Sequence, residues 1–584
     1  MLMQKSSRAV TRESSHLRAY VFFWCLHQAV PFFNVLFFPH EPGAIDNRPI
    51  GRSDWVVRLP LIVLSTVPSR LQRLLLACAH FVNLVFFAAH FPFVWDHMCW
   101  AALMDLSFVL FSLTGDLNGF FSCCRLQHAL FYCASAFWKV NSNFLDARTS
   151  CGTLLGAEFL SILPESIVGP PGGSFVKGLL HTVPVQTVVG EYLIGQLLLS
   201  FPLGGVVLGL AFHLMVLMLP VNAAGGFSVM CASRMIFFLL DPVAAFLDLG
   251  FQGDGADGSS GSLRFFGLLS VVVALVGGLF GGLGGTGDAS FMVFLLFSVI
   301  LILSPFVGRE GKRGGEQQSE ANQSTRRRRL RVLFDCILLS AALLFAFGGP
   351  LLGLQSMGAL TMYSNLSHYG GSNHLIVPTN LLFDRTERLW RVDFSGSASM
   401  RTRSPADASG LEPEGVRRLL ETAVGRGTGR FFAQYYARMA TMHSLTELDF
   451  GSSSASGDSI PFVLPEAELT RLVAEARQKE DFPFRMRLTR LADDEGASEG
   501  RGREGEVNVE VEVQEGVTEI LSCTVAHDGH VHPRGDREGI ENTCRELVDT
   551  LDATQRSWRS RLWLPYPIPL IPETSKMRGI PCLA

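Results

Sequence analysis

From about Tyr20 to Gln355 the apolar positions fall into long runs broken by short polar stretches, whereas beyond Arg391 the chain is charged and evenly mixed. Runs of roughly 18 to 25 apolar residues, at ~1.5 Å rise per residue, cross a ~30 Å hydrocarbon layer as helices. The pattern predicts spans at 19–38, 71–94, 97–114, 120–140, 190–219, 224–247, 263–284, 288–306 and 332–355. That makes about nine, with a range of eight to ten, because Pro202 can split the fifth and 55–67 can lie in the interface. The expected fold is an all-α polytopic membrane bundle over 19–355, followed by a post-membrane segment at 356–390 and a small soluble α+β domain at 391–584. In that tail Glu412–His443 and Pro465–Glu480 read as helices, and the alternation in Glu506–Val513 reads as a strand.

Composition agrees with this division. The 584 residues are 48% hydrophobic and 17% charged, with 45 Phe and a mean hydropathy of +0.28, which is not the usage of a soluble enzyme. A net charge of -4 with basic residues confined to loops gives no footprint for nucleic acid. The segment 1–18 is basic and runs into an apolar stretch without a small-residue cleavage site, so it reads as a cytoplasmic leader to an uncleaved first span. Between Arg309 and Arg331 lie eight basic and three acidic residues, which places the 307–331 loop in the cytoplasm as well. Nine spans satisfy both placements and put the tail on the lumenal or exterior side. Nine of the 12 cysteines lie in or beside apolar runs, where a free thiol behaves as a small hydrophobe; only Cys523, Cys544 and Cys582 are in the tail.

Two glycine-rich stretches carry no nucleotide chemistry. Gly277–Gly287 ends an apolar run with small residues four apart, as helix packing requires, and Phe251–Ser262 has a loop's composition. The tract His527–His532 contains three histidines, but its Asp528-Gly529 reads as a hairpin turn that splays them, so no metal is expected.

Ionisable side chains inside spans cost roughly 2.5–3.5 kcal/mol each at a helix centre, so they turn inward and mark function. Cys124, His128, Tyr132, Ser135 and Lys139 recur at helical spacing on the fourth span and share one face. His97, Asp105 and Ser112 do the same on the third, and His80, Asn83 and His90 on the second. Each also has a plainer reading. Lys139 stands at a helix end and reaches the headgroups by snorkelling, His97 anchors the interface, His128 bonds a neighbouring carbonyl, and His213 packs.

Phe131–Asp146, FYCASAFWKVNSNFLD, resembles the signature of the vitamin K-dependent gamma-carboxylase superfamily, or horizontally transferred transmembrane (HTTM) family. His97 at a helix start, the AFHLMV element around His213 and the segment Leu352–Thr379 are similar to further family features in the same order. The resemblance implies a buried lysine base, Lys139, that deprotonates a reduced lipid quinone, and gamma-glutamyl carboxylase-like chemistry on a protein substrate. His128 and His97 are then the other catalytic candidates, and Tyr132, Ser135, Asp105 and His213 the candidate cofactor-binding groups. Gly115-Asp116 stands where the carboxylases carry Asn-His, so either His128 substitutes or the full carboxylation cycle is absent. The expected cofactor is reduced vitamin K or a related quinone, without a metal, in an ER-like endomembrane. The alternative is a non-enzymatic membrane binding or scaffold protein that uses its tail as an interaction module; transport is disfavoured because no inverted repeat is found.

Overall fold

The computed structural model describes residues 2–37, 53–67, 71–90, 96–147, 150–161, 163–168, 173–218, 225–251, 289–307, 325–351, 374–377, 389–395, 462–465, 484–490, 506–514 and 517–526. The expected span at 263–284, the glycine-rich stretches after Phe251, the segment before His374, the tail helices at 412–443 and 466–480 and the His527–His532 tract lie outside these residues.

The helices are α1 (Leu2–Phe37), α2 (Leu59–Thr66, entered through a wide turn at Asp54–Arg58), α3 (Gln72–His90), α4 (Asp96–Thr114) and α5 (Leu117–Trp138). Short α6 (Ser142–Leu145), α7 (Cys151–Ser161) and α8 (Glu165–Val168) lead to α9 (Ser174–Ser200) and α10 (Pro202–Leu217). Then come α11 (Gly225–Met235), α12 (Leu240–Phe251), α13 (Ala289–Val307) and α14 (Thr325–Leu343), which continues through a second wide turn to Leu351.

Among the described residues three helices are long and apolar enough to cross a membrane: His97–Thr114, Ala289–Phe306 and Arg329–Leu351. A fourth span is made if the bent pair Gly226–Phe238 and Leu240–Asp248, which turn by 94°, count as one. Two expected spans are therefore not continuous. The fifth breaks at Phe201, whose φ of -140° and ψ of 75° leave the helical region, as the residue before a proline tends to do. The sixth breaks at Leu239, with φ -126° and ψ 30°, and the new helix carries Pro242 in its first turn, where a missing N–H costs nothing.

Aromatic rings fill the core. Tyr20 is packed by Phe108, Phe120, Phe121 and Phe237 at 5.1–6.1 Å between ring centres, and Phe23 of α1 stacks on Phe297 of α13 at 4.5 Å. Two features fix how α5 meets its neighbours. Gly195 of α9 lies so close to α5 that a Cβ there would sit 2.6 Å from Cys133 Sγ and 2.9 Å from the Ala129 carbonyl oxygen. The indole of Trp138 donates to the Ala346 carbonyl at 2.7 Å, inside the second wide turn, where the regular helical ladder is interrupted.

α4 and α5 are separated by Gly115, at φ 71°, a conformation that glycine adopts without strain. Asp116 then caps α5 by accepting from Gly119 N at 2.9 Å. At the far end Asn141 caps α6, accepting from Phe144 N at 2.8 Å. Asn141 also forms an isolated bridge with His374. Cys151 is disulfide-bonded, unlike Cys25, Cys78, Cys99, Cys123, Cys124, Cys133, Cys231 and Cys336, which are free.

The tail contains a five-stranded antiparallel sheet in the order β2-β1-β3-β4-β5, built from β1 (Leu389–Ser395), β2 (Phe462–Pro465), β3 (Phe484–Arg490), β4 (Glu506–Gln514) and β5 (Val517–Ala526). β4 is the strand that alternation predicts; it pairs Val509 with Leu488 on one side and Cys523 on the other. Pro465 ends a strand rather than starting a helix.

Candidate functional site

Three groups of buried polar side chains lie among the helices. The first is centred on Asp105 of α4. Its Oδ1 is 2.7 Å from His80 Nδ1 of α3 and accepts from Trp24 Nε1 of α1 at 3.4 Å. Its Oδ2 accepts from Asn83 at 3.4 Å. The other ring nitrogen of His80 is 3.2 Å from the Tyr20 hydroxyl. Asn83 also donates to Gln28 at 3.1 Å and accepts from Arg58 Nε at 2.9 Å. Arg58 reaches Gln28 as well and lies 3.5 Å from Asp54 one turn earlier. Four elements thus contribute to one network, because a charge inside an apolar bundle must find partners on whichever helices adjoin it.

This network borders a cavity of about 150 Å³. Asp105, Asn83, Arg58, Gln28, His27 and His97 supply its polar wall, and Phe86, Phe87, Met98 and Met230 are among its apolar lining.

The second group lies on the α5 face. Tyr132 and His213 Nε2 of α10 are 2.7 Å apart, and His213 Nδ1 is 3.3 Å from Ser228 of α11. His128 is fully buried with neither ring nitrogen hydrogen-bonded among the described residues. Aromatic rings surround it, Tyr132 at 5.3 Å and Phe131 and Phe238 at 6.2 Å. The buried Arg234 of α11 donates to Met104 Sδ at 2.9 Å and to the Met230 carbonyl and Ser233 Oγ at 3.1 Å each.

The third group is an ion pair. Lys139, at the C-terminal end of α5 and 4% exposed, does not reach outward. Its ammonium donates to Ser135 Oγ at 2.7 Å and to both oxygens of Glu191 of α9, at 2.8 and 3.0 Å. The close approach at Gly195, one turn along α9, brings that carboxylate within reach.

The sequence-predicted residues therefore divide. Lys139 meets Ser135 and Glu191; Tyr132 meets His213; Asp105 and His97 line the cavity together. They do not converge on one pocket, and Lys139 is not part of the cavity lining. Glu191, Tyr20, Arg58 and Arg234 were missed as site residues. The signal for three of them was an ionisable residue inside an apolar helix; Tyr20 has no such mark.

Residues 372–547 match the model of a family described as a domain of unknown function, DUF8388. All five strands fall inside this stretch. No curated protein and no solved structure matches the chain. The family that is found is thus not HTTM, and the resemblance drawn from Phe131–Asp146 does not hold. Local structure accounts for those residues without it. Trp138 hydrogen-bonds α14, Lys139 neutralises Glu191, and Asn141 caps a helix, roles that recur at the ends of packed membrane helices.

His374, inside the matched stretch, ties it to the end of α5. Its Nε2 donates to the Phe137 carbonyl at 3.0 Å, while Nδ1 accepts from Ile376 N and Val377 N at 3.2 Å each. Burial pushes its imidazole below the ordinary value, opposed by the bond to Phe137.

Proposed function

We propose that this chain is a polytopic membrane protein of about nine spans, held in an endomembrane with its tail opposite the basic loop. In this reading it binds a lipid-soluble molecule with a single polar ring, of the quinone or phenol class. The observation that carries the reading is the polar cavity bordered by Asp105, Asn83 and Arg58. An apolar cavity of ~150 Å³ in another protein holds one benzene ring, so the volume here suits a monocyclic head. Phe86 and Phe87 offer ring contacts. Arg58 and Asn83 supply donors for a ring oxygen, and Asp105, backed by His80, accepts from a ring hydroxyl.

The test uses full-length protein in lipid nanodiscs and a short-chain benzoquinone as probe. Saturable binding that weakens by about tenfold or more in Arg58→Gln, the loss of ~1.4 kcal/mol, supports the reading. Equal affinity for the quinone and for an alkyl alcohol of matched hydrophobicity overturns it.

A further inference from the structure

We propose that Asp241, His16, Tyr20, His80 and Asp105 form a proton-delivery path that runs from one end of the helical bundle to the cavity near the other end. It deepens the reading above, since it makes the chemistry of a bound ring proton-coupled.

The two ends are set by chain direction. The cavity is lined by Pro31 and Phe87 late in α1 and α3, and by His97, Gly226 and Ser290 at the starts of α4, α11 and α13. At the opposite end α4 gives way to α5, Asp116 lies 3.6 Å from Arg331 near the start of α14, and Phe121, early in α5, contacts the His16 ring at 6.1 Å. His16 and Pro31 are thus separated by most of the helix, ~22 Å at 1.5 Å per residue.

Between these ends titratable groups follow one another. The Asp241 side chain is 58% exposed, and its Oδ1 is 2.6 Å from Nε2 of His16, whose side chain is 9% exposed. His16 and Tyr20 are four residues apart on α1, and both contact Phe121. Tyr20 then bonds His80, and His80 bonds Asp105 at the cavity wall.

The hydrogen bonds set a direction. An ionised Asp105 only accepts, so a neutral His80 donates from Nδ1 and its Nε2 accepts from Tyr20. A proton arriving at the Tyr20 oxygen releases the Tyr20 proton to Nε2; Nδ1 passes its own to Asp105, and Asp105 gives one to the ligand. One proton enters at Asp241 and one leaves into the cavity. His16 and Tyr20 are one helical turn apart, ~6 Å between Cβ atoms, with the Phe121 ring against both, so the path requires a water between His16 and the Tyr20 hydroxyl.

The charges around the path are compatible with transfer by bond exchange. Arg18 lies 2.8 Å from Asp248 and Ser15 donates to the same carboxylate, beside His16. Arg125 of α5 donates to the Phe237 carbonyl. Along the inner part the field of Arg234 reaches Tyr20 and His80, against that of Asp105, with the thiols of Cys25 and Cys124 nearby. A fixed guanidinium there disfavours a hydrated cation and favours relay along the bonded Tyr20–His80–Asp105 segment.

The test follows the carboxylic acid infrared band of Asp105, identified by its loss in Asp105→Asn, after an acid jump on full-length protein in proteoliposomes. Tyr20→Phe keeps the packed ring and removes the relay oxygen; His16→Gln removes the outer group. Both are expected to slow protonation of Asp105 by at least about tenfold, a barrier raised by ~1.4 kcal/mol. Parent-like rates in Tyr20→Phe overturn the path, slowing by Tyr20→Phe alone overturns the route through His16, and an Asp105 band that never responds overturns access altogether. This readout needs no bound ring, so failure of the benzoquinone to bind leaves it unaffected.

Discussion

Replacing Glu191 by Ala strands the Lys139 ammonium in a site where both side chains are less than a tenth exposed. Ser135 Oγ and, weakly, the Ser135 carbonyl at 3.5 Å then remain as its hydrogen-bond partners. Removing one member of a buried ion pair costs ~3–5 kcal/mol, because the remaining charge keeps its desolvation penalty without its Coulombic return. That is roughly two to four orders of magnitude in the folding equilibrium, at ~1.4 kcal/mol per tenfold. Replacing both members, Lys139→Met with Glu191→Leu, removes penalty and attraction together and is expected to fall within ~1–2 kcal/mol of the parent. Reversible unfolding in mixed micelles with increasing SDS, followed by circular dichroism, gives all four corners of the cycle. A loss below ~1 kcal/mol in Glu191→Ala, the worth of an exposed pair, would refute the reading of Lys139 as a buried staple between α5 and α9. A double variant as damaged as the sum of the singles would refute it equally.

Gly195→Val places branched carbons where a single Cβ already meets Cys133 Sγ at 2.6 Å and the Ala129 carbonyl at 2.9 Å; overpacking of ~1–3 kcal/mol is expected in the same assay, and Gly190→Ala, with open space around it, serves as the neutral control. Asn141→Ala removes the α6 cap and the bond to the Trp138 carbonyl at 2.8 Å, with an expected loss of ~1–2 kcal/mol. For His374 the folded imidazole is depressed below 6.5, so the unfolded segment binds more protons on the acid side. Its contribution is complete above the ordinary value and is lost as pH falls through the folded one. The protection factors of the Ile376 and Val377 amides, intrinsic pH-dependent exchange rates divided by the observed ones, should therefore fall below about pH 6.5, and His374→Gln should remove that dependence.

The inward faces of α3, α4 and α5 were legible because polar residues at helical spacing in an apolar run have one direction to turn. His80 and Asn83 share a face, as do His97 and Asp105, and they do border or support the cavity. Which faces meet was not legible. Periodicity orders side chains around one axis and says nothing of neighbours, so the stripe that carries Lys139 gives no sign of Glu191, 52 residues on. The break at Pro202 has a local cause that the sequence displays. The bend at Leu239 does not, since Pro242 is also tolerated inside a kinked span. The short motif around Lys139 misled because small residues, an aromatic, a lysine and an asparagine are what a packed helix end needs in any family. In the tail, strict alternation marks β4, and the same alternation at Phe484, Met486 and Leu488 of β3 was equally legible but not used.

The contacts between α1 and α12 also set a clock. His16 and Asp241 are 225 residues apart, and Arg18 and Asp248 are 230. At ~5–20 residues per second the ribosome needs ~11–45 s to make the second partner after the first. During that interval the leading helix carries a histidine and an arginine without their acidic partners. Its final seating must come late in synthesis, so truncations before Asp241 are expected to leave the first helix inserted but exchangeable, and longer ones to lock it.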